Sequence, residues 1–145
     1  MKVAISTAAV AIVCAGCAGY RGAAGSPGGV ETKRVEGTTV EIPREASGIF
    51  AEITKHQAEL KAAVESNQLN QASDHAAAIR ELAGRIPQRA TYENKPEVGT
   101  TVQKISKATK EIQAASAAGS EADLQTQLAR LDELIQKMQA DFRPL

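Results

Sequence analysis

From Leu124 to Phe142 the apolar residues keep an unbroken 4-3-4-3-4 spacing: Leu124, Leu128, Leu131, Ile135, Met138 and Phe142. An α-helix turns once in about 3.6 residues, so all six fall on one stripe. One amphipathic helix is marginal by itself, so the stripe must bury itself against partners from the same chain. Three more helical stretches supply them. Phe50, Ile53, Leu60 and Val64 mark the first, from Ser47 as its N-cap to about Ser66, with Gln57 the odd member of the stripe. Ala72, Ala76, Ile79, Ala83 and Ile86, with Leu82 beside them, mark a second from about Asn70 to Ile86, which Pro87 ends. Val98, Val102, Ile105, Ile112 and Ala115 mark a third from about Pro96 to Ala118, closed by Gly119. Ser120 and Asp123 form a capping pair ahead of the fourth. Short connections make successive helices antiparallel neighbours. The spacing predicts an all-α fold: an antiparallel up-down-up-down four-helix bundle over residues 47–143. The second helix is short and rich in alanine, so its neighbours should approach it closely.

Charge and aromatic content narrow the function. The 145 residues carry 17 basic and 17 acidic side chains. That balance lacks the clustered Lys and Arg that a nucleic-acid footprint needs, so no nucleic-acid partner is expected. The aromatics are Tyr20, Phe50, Tyr92 and Phe142, with no Trp, which leaves little for stacking bases or sugars. Ser and Thr sit mainly at turns, caps and exposed faces, and no catalytic constellation stands out, so no enzyme is expected. Glu81 with Arg85 and Glu133 with Lys137 are i, i+4 pairs that read as solvated helix support.

The first residues have a different character. Lys2 precedes an apolar run from Val3 to Val13. Eleven helical residues rise about 16 Å, half a bilayer core, which is the size of a signal-peptide h-region and not of a permanent span. The run ends at Cys14-Ala15-Gly16-Cys17, which resembles the lipobox of bacterial lipoproteins, with Cys14 where Leu is usual. The resemblance implies a signal peptide over 1–16 and lipidation of Cys17. Two acyl chains would then anchor the protein on a membrane. Cys14 and Cys17 also have the spacing of a redox pair. Ala18 stands where c-type haem attachment needs His. In the sorting pattern of enteric lipoproteins, Ala18 in place of Asp implies the periplasmic side of the outer membrane. Residues 17–46 read as a flexible or extended tether. Its Ala18–Gly29 part is rich in Gly, Ala, Ser and Pro, and the whole reaches roughly 30 Å. The alternation in Thr38–Ile42 suits a strand, but no partner strand is evident, and an isolated strand is not stable.

Only two histidines exist, His56 on the first helix and His75 on the second. At about 100° per residue, His75 lies about 40° from Ile79 and His56 about 60° from Ile53. The turn between the helices is tight, so the two imidazoles are offset by about one helical turn and can meet across it. Glu52 and Glu59 flank His56. Imidazole with carboxylate suits a modest transition-metal site; the alternative is two boundary histidines bonded to backbone or water. No His-x-x-x-His pair and no free thiolate is present, which argues against a tight structural zinc site. Met138 is a potential haem ligand but sits inside an apolar stripe and reads as core. No organic cofactor is expected.

The segment Ser47–Phe142 resembles a family of small periplasmic helical domains often encoded near heavy-metal efflux systems. The likeness rests on Gly48-Ile49-Phe50-Ala51-Glu52-Ile53, Leu60, His75-Ala76-Ala77-Ala78-Ile79-Arg80-Glu81-Leu82 and Ile86-Pro87. The family's second block carries an aromatic where Ala77 stands and Asp where Glu81 stands. Its histidine set is richer. The resemblance implies a lipid-anchored periplasmic protein that binds transition metal weakly or assists efflux, with His56 and His75 as ligands and Glu52 or Glu59 assisting. The alternative is a structural envelope lipoprotein that meets protein partners and takes no small ligand.

Overall fold

The computed structural model describes residues 29–145. The expected signal peptide 1–16, the expected lipidation at Cys17 and the Gly-rich segment to residue 28 lie outside them. Four helices carry most of the described chain: α1 (Ala46–Glu65), α2 (Leu69–Arg85), α3 (Lys95–Ala118) and α4 (Glu121–Asp141). Each lies within a residue or so of its expected span. Pro87 ends α2 as expected, but the chain continues into a 3-10 turn over Ile86–Arg89. A proline is tolerated there because the first turn needs no N–H from it. Ser47 is not the N-cap of α1. That position is Glu45, without a side-chain cap, and Ser47 lies in the first turn. Ser120 holds the N-cap position of α4, but its hydroxyl donates to the Asp123 carboxylate at 2.6 Å and not to the helix backbone. Gly119 closes α3 at φ 67°, a left-handed conformation in which any side chain would be strained.

The all-α expectation needs correction. An antiparallel hairpin precedes the helices, formed by β1 (Glu31–Val35) and β2 (Thr38–Ile42), with Glu31 opposite Ile42 and Val35 opposite Thr38. The partner that β2 seemed to lack is the charged stretch Glu-Thr-Lys-Arg-Val, so residues 31–42 are not tether. Val40 and Ile42 are buried on the helices, while β1 is almost wholly exposed. A free hairpin is marginal in water, and this one is held by α2. Lys33 lies 2.9 Å and Arg85 2.9 Å from the Glu81 carboxylate. Burial pushes the Glu81 carboxyl up, but the hydrogen bonds from Lys33 and Arg85 outweigh it and hold it below its ordinary value. At the hairpin tip, Gly37 N–H donates to Asp74 Oδ1 at 3.1 Å. A Cβ on Gly37 would push that carboxylate aside and cost the Gly37–Asp74 hydrogen bond.

The core runs through all four helices and takes in Val40 and Ile42 of the hairpin. Ile53, Leu60, Ile79, Leu82, Ile105, Ile112, Leu131 and Met138 are fully buried, each worth roughly 1.5–3 kcal/mol relative to exposure. The α4 stripe is buried from Leu124 to Met138, and Phe142 ends it edge-on to Phe50 with ring centroids 5.3 Å apart. Met138 is core, as expected. Lys137 does not pair with Glu133 but with Asp141 at 2.6 Å and Glu97 at 3.3 Å.

Arg89 ties the segment just before α1 to the last residue, through its side chain and its backbone respectively. Arg89 donates to Arg44 O at 2.6 Å and to Pro43 O at 3.4 Å, while its own carbonyl accepts from Leu145 N–H at 3.2 Å.

The alanines of α2 are the thin part of the core. Ala72, Ala76 and Ala78 have no exposed surface. Ala76→Leu is therefore expected to overpack the interface and cost about 1–3 kcal/mol. Urea unfolding should show this as a lower midpoint at unchanged slope. An unshifted midpoint would mean that α2 has room to spare.

Candidate metal centre

The reversal between α1 and α2 is very short. Ser66 N–H donates to Ala62 O at 3.0 Å, Asn67 takes φ 56°, and Gln68 N–H donates to Ala63 O at 2.7 Å. So tight a turn fixes the register of the two helices, and register decides which side chains meet. His56 and His75 do meet: their Nδ1 atoms are 3.1 Å apart, with ring centroids at 5.4 Å and planes inclined by 40°.

Of the two flanking carboxylates, Glu59 joins them. Its Oε2 lies 3.2 Å from His56 Nδ1 and 3.3 Å from His75 Nδ1. Glu52 instead pairs with Lys55 at 3.3 Å. The choice follows from the register. His75 lies about seven residues past the turn and Glu59 about as far before it, so they stand level, whereas Glu52 is about two helical turns farther down. That signal was already present in the sequence. Asp74, next to His75, is turned away to the hairpin tip.

Three donor atoms thus form a nearly equilateral triangle with sides of 3.1, 3.2 and 3.3 Å. Ligands about 2.0–2.1 Å from a tetrahedral ion are separated by roughly 3.3 Å. The triangle therefore has the size of one face of such a shell. Two ring nitrogens and one carboxylate oxygen meet at one point, each pair within 3.3 Å. Among the described residues this is the group of His, Cys, Asp and Glu side chains placed to hold a metal.

His56 is more deeply placed than a boundary residue, at 3% exposure. Burial holds its imidazole below the ordinary value of 6.5, and His75 and Lys55 add to this against the opposing pull of Glu59. The neutral ring, which is the ligating form, is thereby favoured. The far nitrogen of His56, Nε2, is buried without a hydrogen-bond partner. Ligating imidazoles usually donate that N–H to an acceptor that fixes the ring. Here packing alone holds it.

No family model, curated protein or solved structure matches this chain.

A groove of about 670 Å³ lies elsewhere, between Arg44, Phe50, Arg89, Phe142 and Leu145. Its walls are mostly apolar and bring no cluster of ligating groups together. Sequence reasoning did not anticipate it, because its wall combines the start of α1, the 3-10 turn and the last residues of the chain.

Proposed function

We propose that the chain is a membrane-anchored envelope lipoprotein whose helical domain binds a divalent first-row transition ion through His56, His75 and Glu59. One observation carries the metal assignment: three donor atoms of two types, drawn from two helices, at mutual distances of 3.1–3.3 Å. Two imidazoles select such an ion over calcium or magnesium, which prefer all-oxygen shells. The role is binding, not catalysis. The anchor rests on the leader before Cys17 and on the lipobox likeness, and labelled palmitate should enter the wild-type chain but not Cys17→Ser. No described helix is long and apolar enough to cross a membrane. We read the helices as an antiparallel up-down-up-down bundle. Supporting this, the start of α1 meets the end of α4 through Phe50 and Phe142, and Lys61 farther along meets Asp132 at 2.5 Å.

Titration of the full chain in detergent with zinc, copper and nickel tests the metal assignment. One ion should bind per chain. Glu59→Gln should weaken it roughly tenfold or more, and His75→Ala should abolish it. No histidine-dependent binding tighter than about millimolar would end the proposal.

A second reading draws on the apolar groove and on Leu145, which is 86% exposed at its edge. It makes the protein an interaction lipoprotein that meets an envelope partner there and takes no small ligand.

A further inference from the structure

We propose that the ion held by His56, His75 and Glu59 keeps a coordination position open to solvent, and that it leaves by direct ligand exchange. The acceptor would be a nitrogen or sulfur donor on a second molecule. The inference rests on the metal-binding reading and goes beyond it to what the site does with its ion.

Four observations lead there. The first is the number of ligands. The site brings three donors together, whereas zinc takes four ligands and octahedral ions six. Neighbouring carboxylates are engaged elsewhere: Glu52 with Lys55, Asp74 with Gly37 N–H, and Asp132 with Lys61 and Gln57. The second is the gradient of exposure across the triangle. The His56 side chain is 4% exposed, His75 17% and Glu59 42%. Helix packing closes the inner side, so the vacant position looks outward past Glu59.

The third is the shape of the surface. The apolar groove of about 670 Å³ is lined by other residues, whereas His56, His75 and Glu59 lie along the seam of two packed helices with Glu59 at its exposed edge. Small-molecule substrates are bound in concave pockets that bury most of their surface. A shallow site is instead reached by a protruding side chain. The fourth is the unbraced His56 ring, whose Nε2 has no acceptor. Loss of such bracing weakens metal sites by about 10–100-fold. An ion so held is retained by few bonds and is easily passed on.

The exchange balances without a redox partner. A neutral imidazole or a thiolate donates its lone pair to the ion at the open position. The bond from the ion to Glu59 Oε2 then breaks, and the carboxylate keeps its electron pair and returns to water. The two imidazoles follow as further donors arrive. The ion stays divalent, and both rings leave neutral.

The test uses the full chain loaded with cobalt(II) or zinc. Added imidazole should shift the visible absorption bands of the cobalt form. Zinc transfer to a chromophoric chelator should be bimolecular, with tenfold more chelator giving about tenfold faster transfer. At equal loading, Glu59→Gln should transfer faster than the wild type. A transfer rate independent of chelator concentration, or cobalt bands unmoved by imidazole, would overturn the open-position proposal and leave metal binding intact. Failure to load either ion would instead remove the metal-binding reading on which it stands.

Discussion

Ile79→Ala is expected to lower the unfolding free energy by about 2–5 kcal/mol. Ile79 has no exposed surface and lies on α2, which packs on α1, on α3 and on both strands of the hairpin. Truncation loses the transfer free energy of three carbons and leaves a cavity. The neighbours cannot easily fill it, because Ala76, Ala78 and Ala83 around it have no longer side chains to swing in. A domain of this size should melt roughly 10–20 °C lower. Lys104→Ala on the exposed face of α3 is the control, expected to change stability by no more than about 0.5 kcal/mol. A loss below about 1 kcal/mol at Ile79 would mean that α2 is not the centre of the core.

Zinc at a hundredfold excess over its dissociation constant is expected to stabilise the folded chain by about 2.7 kcal/mol, and acidification to remove that gain. The metal-free chain has a pH dependence of its own, and its sign follows from His56. Burial first, then His75 and Lys55, depress the folded pKa below 6.5. As the pH falls through about 6.5 the unfolded chain takes up a proton that the folded chain still refuses. Stability is therefore full above that pH, declines below it, and levels off once the folded ring also protonates. Parallel melts at about pH 7.5 and about pH 5.5, with and without zinc, separate the two effects. Glu59→Gln, exposed and outside the core, should lose much of the zinc gain. Because Glu59 raises the His56 pKa, its loss should lower that pKa further and extend the metal-free decline to lower pH. Equal zinc stabilisation in wild type, Glu59→Gln and His75→Ala would place the ion somewhere else.

The helices were legible because their apolar residues repeat with the period of the helix. Pro87 and Gly119 punctuate them by backbone chemistry that does not depend on tertiary context. The hairpin was half legible. Thr38–Ile42 alternates as a strand should, but its partner Glu31–Val35 faces water along most of its length and carries no pattern. Its turn, Glu36-Gly37, also lacks the Asn-Gly or Asp-Gly pair that announces a hairpin. The hairpin is held mainly by burial of Val40 and Ile42 on the helices. Lys33 on Glu81 and Gly37 on Asp74 fix its position, and these contacts between residues far apart in sequence lie in no local window. The histidine pair was legible because a tight helical turn sets a register that can be counted. The depth of His56 was not, since it depends on what α2 lays over it.

The convergence on Arg89 bears on how the protein comes apart. Its side chain grips the backbone just before α1, and its carbonyl separately holds Leu145. Replacing Arg89 by Ala should therefore speed amide exchange in the hairpin, while Leu145, whose N–H keeps the residue 89 carbonyl, and Thr91, which donates to Arg143 O, should change less. A tug on the upstream chain, such as a bilayer anchor would transmit, meets the hairpin and then this guanidinium grip before it reaches the helices that carry the histidines.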